Sequence, residues 1–128
     1  MGKIRKISFL KPEEHPKAWG KEVWYVNNDK YCLKYLFFEK NRAKFSLHYH
    51  WDKEETWYVL YGSFKLTYIN LETAERMYET IKTGDIIHIP PGNPHQLESL
   101  EEESAIIEVS TPHYEHDSYR IEKGDNQK

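Results

Sequence analysis

The sequence predicts an all-β chain folded as an antiparallel sandwich or barrel, and three observations carry that prediction. Short runs rich in Val, Ile, Tyr, Phe and Trp recur along it, separated by Gly, Pro, Asn or acidic turns, which is the pattern of strands rather than helices. Aromatic residues make up 15% of the chain, although hydrophobic residues of all kinds reach only 38%. That balance suits large inward side chains beneath a polar exterior. The one stretch of good helix formers, Leu71 to Glu79, is too short to hold a helix alone and lies between strand-like residues, so it is expected as a hairpin turn.

Taken in order, residues 3–10 alternate through Ile4, Ile7 and Phe9 and are expected to form an N-terminal edge strand. Pro12 and Pro16 bracket a loop. Trp19 to Val26 and Tyr31 to Glu39 pair across an Asn27-Asn28-Asp29 turn, and Lys40 to Lys44 leads into a strand from Phe45 to His50. Thr56 to Leu60 and Ser63 to Asn70 form a hairpin around Gly62, where a turn needs positive φ. Arg76 to Lys82, Asp85 to Ile89, Gln96 to Ser99 and Ala105 to Ser110 complete the strands. The tail, residues 113–128, becomes increasingly polar and is expected to end loosely.

At 128 residues the chain is expected to be a single domain with its core over about residues 17–112, long enough to bury roughly two thirds of its unfolded surface. The net charge of −3 and the absence of a long basic run argue against a nucleic-acid partner. One cysteine cannot form an internal disulfide, which suits a reducing cytoplasm. Met1 to Pro12 lacks the apolar run of a signal peptide, and nothing later approaches a membrane span. Gly2 is not expected to be myristoylated, because Lys6 stands where that motif needs Ser or Thr.

Two stretches carry chemistry. Residues 48–62 read HYHWDKEETWYVLYG, and 84–95 read GDIIHIPPGNPH. His48 and His50 are two apart, so on a strand both imidazoles face the same way. With Glu55 on the neighbouring strand they form a ready set of metal ligands. Pro90, Pro91 and Pro94 stiffen the loop that delivers His95. Glu54 is expected as a solvated turn carboxylate. His15, His88, His113 and His116 are expected at the surface or supporting the site, with His88 facing opposite to Ile87 and Ile89. Cys32 is expected buried in an apolar strand. Trp24, Trp51 and Trp57 belong to a core or a dimer face. Lys34 and Glu108 interrupt apolar strands; facing outward they are ordinary, but facing inward each would be an acid, base or substrate anchor.

Both stretches resemble the paired motifs of the cupin superfamily. The first matches at His48, His50, Glu55 and Gly62, and the second at Gly84, Pro90, Gly92 and His95; Ser99 stands where the family often has Asn. The resemblance implies a double-stranded antiparallel β-barrel of jelly-roll type. It also implies one divalent metal ion (Fe, Mn, Zn, Ni or Co) held by His48, His50, Glu55 and His95, and a homodimer.

Within that superfamily the chain resembles the cupin-type phosphomannose isomerases from Lys17 to about Glu122. The resemblance rests on Ala18-Trp19-Gly20, Lys34, Ser46-Leu47, Glu55, Trp57, Val59, Gly62, Ile89-Pro90, His95, Ile107-Glu108-Val109, Asp117 and Arg120. Gln96 replaces an arginine of that family, and its closing Arg-Tyr-Gly-Arg is absent, which removes two cations that a sugar phosphate would use. The resemblance implies a metal-dependent carbohydrate isomerase or epimerase with Lys34 and Glu108 as candidate catalytic residues and a sugar as the small-molecule substrate. A non-haem dioxygenase or metal lyase, and a non-catalytic cupin that binds a metal or small molecule, are the alternatives.

Overall fold

The structure is a computed structural model that describes residues 6–128. In chain order it contains β1 (Glu13–Lys17), β2 (Gly20–Asn27), β3 (Cys32–Phe38), β4 (Leu47–Tyr49), β5 (Glu55–Tyr61) and β6 (Ser63–Ile69). There follow β7 (Arg76–Lys82), β8 (Ile86–Ile89), β9 (His95–Ser99), β10 (Ser104–Ser110), β11 (Tyr119–Glu122) and a 3-10 turn, Asp125–Gln127. No helix among the described residues is long and apolar enough to cross a membrane.

The strands make two antiparallel sheets, ordered β1-β2-β3-β10-β5-β8 and β11-β4-β9-β6-β7. Trp19, Leu36, Phe38, Trp57 and Ile106 from the first layer meet Phe64, Leu66, Ile81 and Leu97 from the second in one buried cluster. This is the expected all-β jelly roll, but the sheets do not close into a barrel. The chain passes between layers in turns, such as that at Gly62 between β5 and β6, so no strand ladder joins the two edges. Gly62 has φ of 83°, and a Cβ there would lie 2.1 Å from Ser104 Oγ, so no larger residue fits this crossing.

Alternation decides which side chains enter the interior. On β3, Cys32, Lys34, Leu36 and Phe38 are buried; on β10, Ser104, Ile106, Glu108 and Ser110 face the same way; on β5, Glu55, Trp57 and Val59 do. Glu108 pairs in register with Lys34 on one side and Trp57 on the other. Cys32 is buried and His88 faces away from Ile89, both as expected.

Three expectations at the ends of the chain change. Residues 6–10 form no strand, and Ile7 and Phe9 stand exposed; Ile4 lies outside the described residues. The first strand instead begins at Glu13 and includes Pro16. That is possible because β1 is an edge strand paired only with β2, where a missing N–H costs no ladder bond. The polar tail is anchored, since β11 pairs with β4. Asp125 accepts from Lys44 N at 2.9 Å, Asn126 accepts from Ala18 N at 2.5 Å, and Arg76 makes a two-pronged ion pair with Glu122 at 2.6 and 3.0 Å.

Candidate metal centre

The three imidazoles converge from two neighbouring strands. His48 on β4 is the register partner of His95 on β9, which puts both rings on one face, and His50 follows at the strand's end. Their nitrogens lie within 4.8 Å of one another.

Each ring is oriented by a backbone carbonyl. His48 Nδ1 lies 2.8 Å from Ser46 O, His50 Nδ1 2.6 Å from Asp117 O and His95 Nδ1 2.8 Å from Asn93 O. A carbonyl only accepts, so in each ring Nδ1 carries the hydrogen and Nε2 presents a lone pair to the centre. The environment also keeps the rings neutral. Burial, then the neighbouring His95 and His50, hold His48 well below its ordinary pKa; burial and His50 lower His95 to about 3; burial and Lys53 lower His50.

Glu55 completes the set. Its Oε1 accepts from Trp57 Nε1 at 3.2 Å, while its Oε2 is buried without a hydrogen bond, 3.3 Å from His95 Nε2 and 3.6 Å from His50 Nε2. An orphaned buried carboxylate oxygen facing unprotonated imidazole nitrogens costs stability unless something positive stands between them. A divalent cation satisfies all four groups, so the donor set fits the metal. Glu54 is exposed and contacts His88 Nε2 at 2.6 Å, away from the centre.

Lys34 and Glu108 are both buried and line the cavity that contains the imidazoles, about 220 Å³ in volume. Lys34 Nζ lies 3.6 Å from Glu22 Oε1 and 4.2 Å from the Trp24 ring centroid. Sequence reasoning missed Lys53. Its buried ammonium lies 2.7 Å from Glu108 Oε2, 3.9 Å from Glu55 Oε1 and 3.3 Å from His113 Nδ1. Lys53 shares the parity of Glu55, Trp57 and Val59, but it precedes β5 on a loop, where strand alternation carries no signal. Burial pulls the Lys53 pKa down, but Glu108 and Glu55 outweigh that and raise it. Burial pushes Glu108 up, yet Lys53 and Lys34 overcome it and hold the carboxyl below its ordinary range. Glu55, buried and beside the Glu108 charge, is pushed well up without a metal.

The loop bearing Lys53 is clipped by the tail. The Asp117 carboxylate is buried and accepts from the backbone N–H groups of Trp51 at 2.7 Å, Asp52 at 3.1 Å and Lys53 at 3.1 Å. One tail residue therefore holds the loop with its side chain and His50 with its carbonyl. Trp19, Leu36, Phe45 and Trp57 give the cavity its apolar lining, and Arg120, Ser118 and Gln127 of the tail line it too.

The comparisons agree with this architecture. The chain is 34% identical over 61 residues to oxalate decarboxylase OxdC of Bacillus subtilis (strain 168), covering 47% of this chain and 16% of that protein. It is 35% identical over 80 residues to the uncharacterized protein MJ1618 of Methanocaldococcus jannaschii, covering 62% and 59%. A solved structure of the Bacillus subtilis oxalate decarboxylase, concerned with its Mn(II) centres, superposes with a TM-score of 0.78 at 21% identity, covering 94% of this chain and 34% of that one. CapF with the inhibitor 3-isopropenyl-tropolone gives 0.76 at 17%, covering 88% and 34%. This chain thus spans less than two thirds of its curated relatives and about a third of the solved chains, whose likeness speaks for the fold alone. The family described as cupin domain matches residues 35–112, the stretch that holds all three imidazoles and Glu55, and the chain belongs to the cupin family.

Proposed function

We propose that this cupin is a metal-dependent isomerase or epimerase of a small carbohydrate, working in the cytoplasm as a homodimer. The observation that carries the reading is Glu108: a buried carboxylate, kept charged by Lys53 and Lys34, in the same cavity as three unprotonated imidazole nitrogens. His48, His50, His95 and Glu55 would hold the metal, which would supply Lewis acidity toward adjacent hydroxyl and carbonyl oxygens. Glu108 takes the proton from the hydroxyl-bearing carbon next to the carbonyl and returns it to the former carbonyl carbon, while the hydroxyl proton passes to the former carbonyl oxygen; return to the opposite face of the same carbon gives the epimer. Lys53 holds Glu108 in place, and Lys34, fixed by Glu22 and Trp24, steadies the substrate's hydroxyls. The apolar wall of Trp19, Phe45 and Trp57 receives the face of a sugar and limits water.

The two buried lysines are already matched to carboxylates, Lys34 with Glu22 and Lys53 with Glu108, which leaves the more exposed Lys17 and Arg120 of the cavity lining as the cations a phosphate would meet. A cavity of about 220 Å³ suits a monosaccharide. The test is solvent deuterium incorporation into a panel of aldoses, ketoses and their phosphates with each of Fe, Mn, Zn, Ni and Co loaded. Exchange should vanish on chelation and fall about a hundredfold to ten-thousandfold in Glu108→Gln. No exchange with any sugar under any metal would sink the reading.

The similarity to oxalate decarboxylase favours a second reading, a metal lyase or oxidase acting on a small organic acid. Release of carbon dioxide from oxalate, or oxygen uptake with a small acid or enediol, would mark it in the same loaded samples.

A further inference from the structure

We infer that His113 is a neutral hydrogen-bond donor to a substrate oxygen, its tautomer set by Lys53 and opposite to that of the three ligand histidines. The inference rests on the metal-centre reading above but not on which substrate that centre serves. Four histidines approach this cavity, and three have Nδ1 against a carbonyl, which leaves Nε2 bare. His113 is different. Its Nδ1 lies 3.3 Å from the Lys53 ammonium, and an ammonium has hydrogens to give and no lone pair to receive one. Nδ1 must therefore accept, and in the neutral ring the hydrogen sits on Nε2.

Everything around His113 fixes it in that role. Its backbone is clamped from both sides by Asn27, whose Oδ1 accepts from His113 N at 2.9 Å and whose Nδ2 donates to His113 O at 3.0 Å. The ring packs edge-on to Trp24 at 5.1 Å. A ring that accepts at Nδ1 from an ammonium is the neutral one, because a protonated imidazole has no lone pair to offer. The side chain is 12% exposed and lines the cavity; Nε2 makes no hydrogen bond among the described residues, and Glu115 Oε1 stands 3.6 Å from it on a side chain 87% exposed. The Nε2–H is thus left free on the cavity wall beside His50.

A neutral donor held by its neighbours suits an oxygen on which negative charge develops, because it stabilises the charge without a proton changing hands. The ligand class is an oxygen chelator: a hydroxy-carbonyl compound, or any mimic with two adjacent oxygens. His113 is also the first residue beyond Pro112, where the family match ends.

Two measurements test this. Nitrogen-15 spectra of histidine-labelled, zinc-loaded protein should show His113 protonated on Nε2, and Lys53→Met should shift it toward the other tautomer or a mixture. Acetohydroxamate, a bidentate oxygen chelator, should bind the zinc-loaded His113→Phe variant about tenfold or more weakly. His113→Gln, which keeps an N–H donor, should recover most of the affinity, and zinc affinity should be the same in both variants. Protonation of His113 on Nδ1 in the unaltered protein would overturn the proposal even if the variants fail to fold. So would loss of zinc in His113→Phe, which would make the ring a ligand. Neither readout requires turnover, so a failure of the isomerase reading leaves this result separate.

Discussion

Glu54 and Glu55 are adjacent and chemically alike, yet they lie in opposite environments: one exposed beside His88, the other buried with an unpartnered oxygen among three imidazoles. Glu55→Gln should therefore weaken divalent metal binding by at least the roughly 10–100-fold that loss of an outer partner costs, because it removes the only anionic ligand. Glu54→Gln should leave it unchanged. Competition with a metal indicator measures both, and equal affinities would remove Glu55 from the ligand set. In the sequence only the resemblance to the cupin motif, which sets Glu55 six residues ahead of Gly62, separates the two. Lys34 and Glu108 were harder to place, because a charged residue in an apolar strand can face either way. Their parity with Leu36 and Phe38, and with Ile106, settles it once the register is known. Lys53 lies on a loop, where alternation is not expected to continue, so its burial depends on contacts with residues far along the chain.

Those contacts come from the tail. Strands β2 to β10 were legible because their apolar residues alternate between turns. Strand β11 was not, since all four of its residues are exposed and it lies at a sheet edge. Its place is fixed by pairing with β4, by Arg76 and Glu122, and above all by Asp117. Strand β1 was hidden differently, because Pro16 argues for a loop although the strand pairs with its immediate neighbour β2 at the sheet edge. Asp117→Ala should strand three backbone N–H groups of residues 51–53 and loosen the carbonyl against His50. At about 1–3 kcal/mol for each unsatisfied buried donor, partly relieved by water, a loss of about 3 kcal/mol is expected. Denaturant unfolding of the chelated protein measures it, and metal affinity should fall about 10–100-fold in parallel. If metal affinity is unchanged while stability drops, the tail is a fastening only and has no part in orienting His50.

The two sheets of the molecule present different outer faces. Outside the five-stranded sheet stand Lys65, Glu98, Thr80 and Gln96, with Lys65 and Glu98 paired at 3.5 Å. Outside the six-stranded sheet, register aligns Tyr35, Ile107, Tyr58 and Ile86 in one row and Leu33, Val109, Thr56 and His88 in the next, with Glu54 against His88 at one corner and the Glu14–Lys21 pair on the flanking strands β1 and β2. Ile86 and Val109 are exposed, as are Tyr58 and Leu60. Strands about 4.8 Å apart, with outward residues about 6.7 Å apart, make this face about 15–20 Å on a side. That alone is smaller than the about 800 Å² per partner of a stable interface. Beside it, Leu10 lines a shallow groove with Tyr25 and Val26 of β2, and Ile7 and Phe9 precede it uncovered. A second copy presents the same mainly apolar surface about a two-fold axis and adds its own N-terminal segment, so it matches this face in both shape and chemistry. The protein should therefore sediment as a dimer, and Ile86→Glu with Val109→Glu should make it a monomer with metal content unchanged, because neither residue touches the cavity. Loss of residues 6–10 should weaken the dimer without abolishing it. A monomer for the unaltered protein even at high concentration would mean that this face meets some other partner, or none.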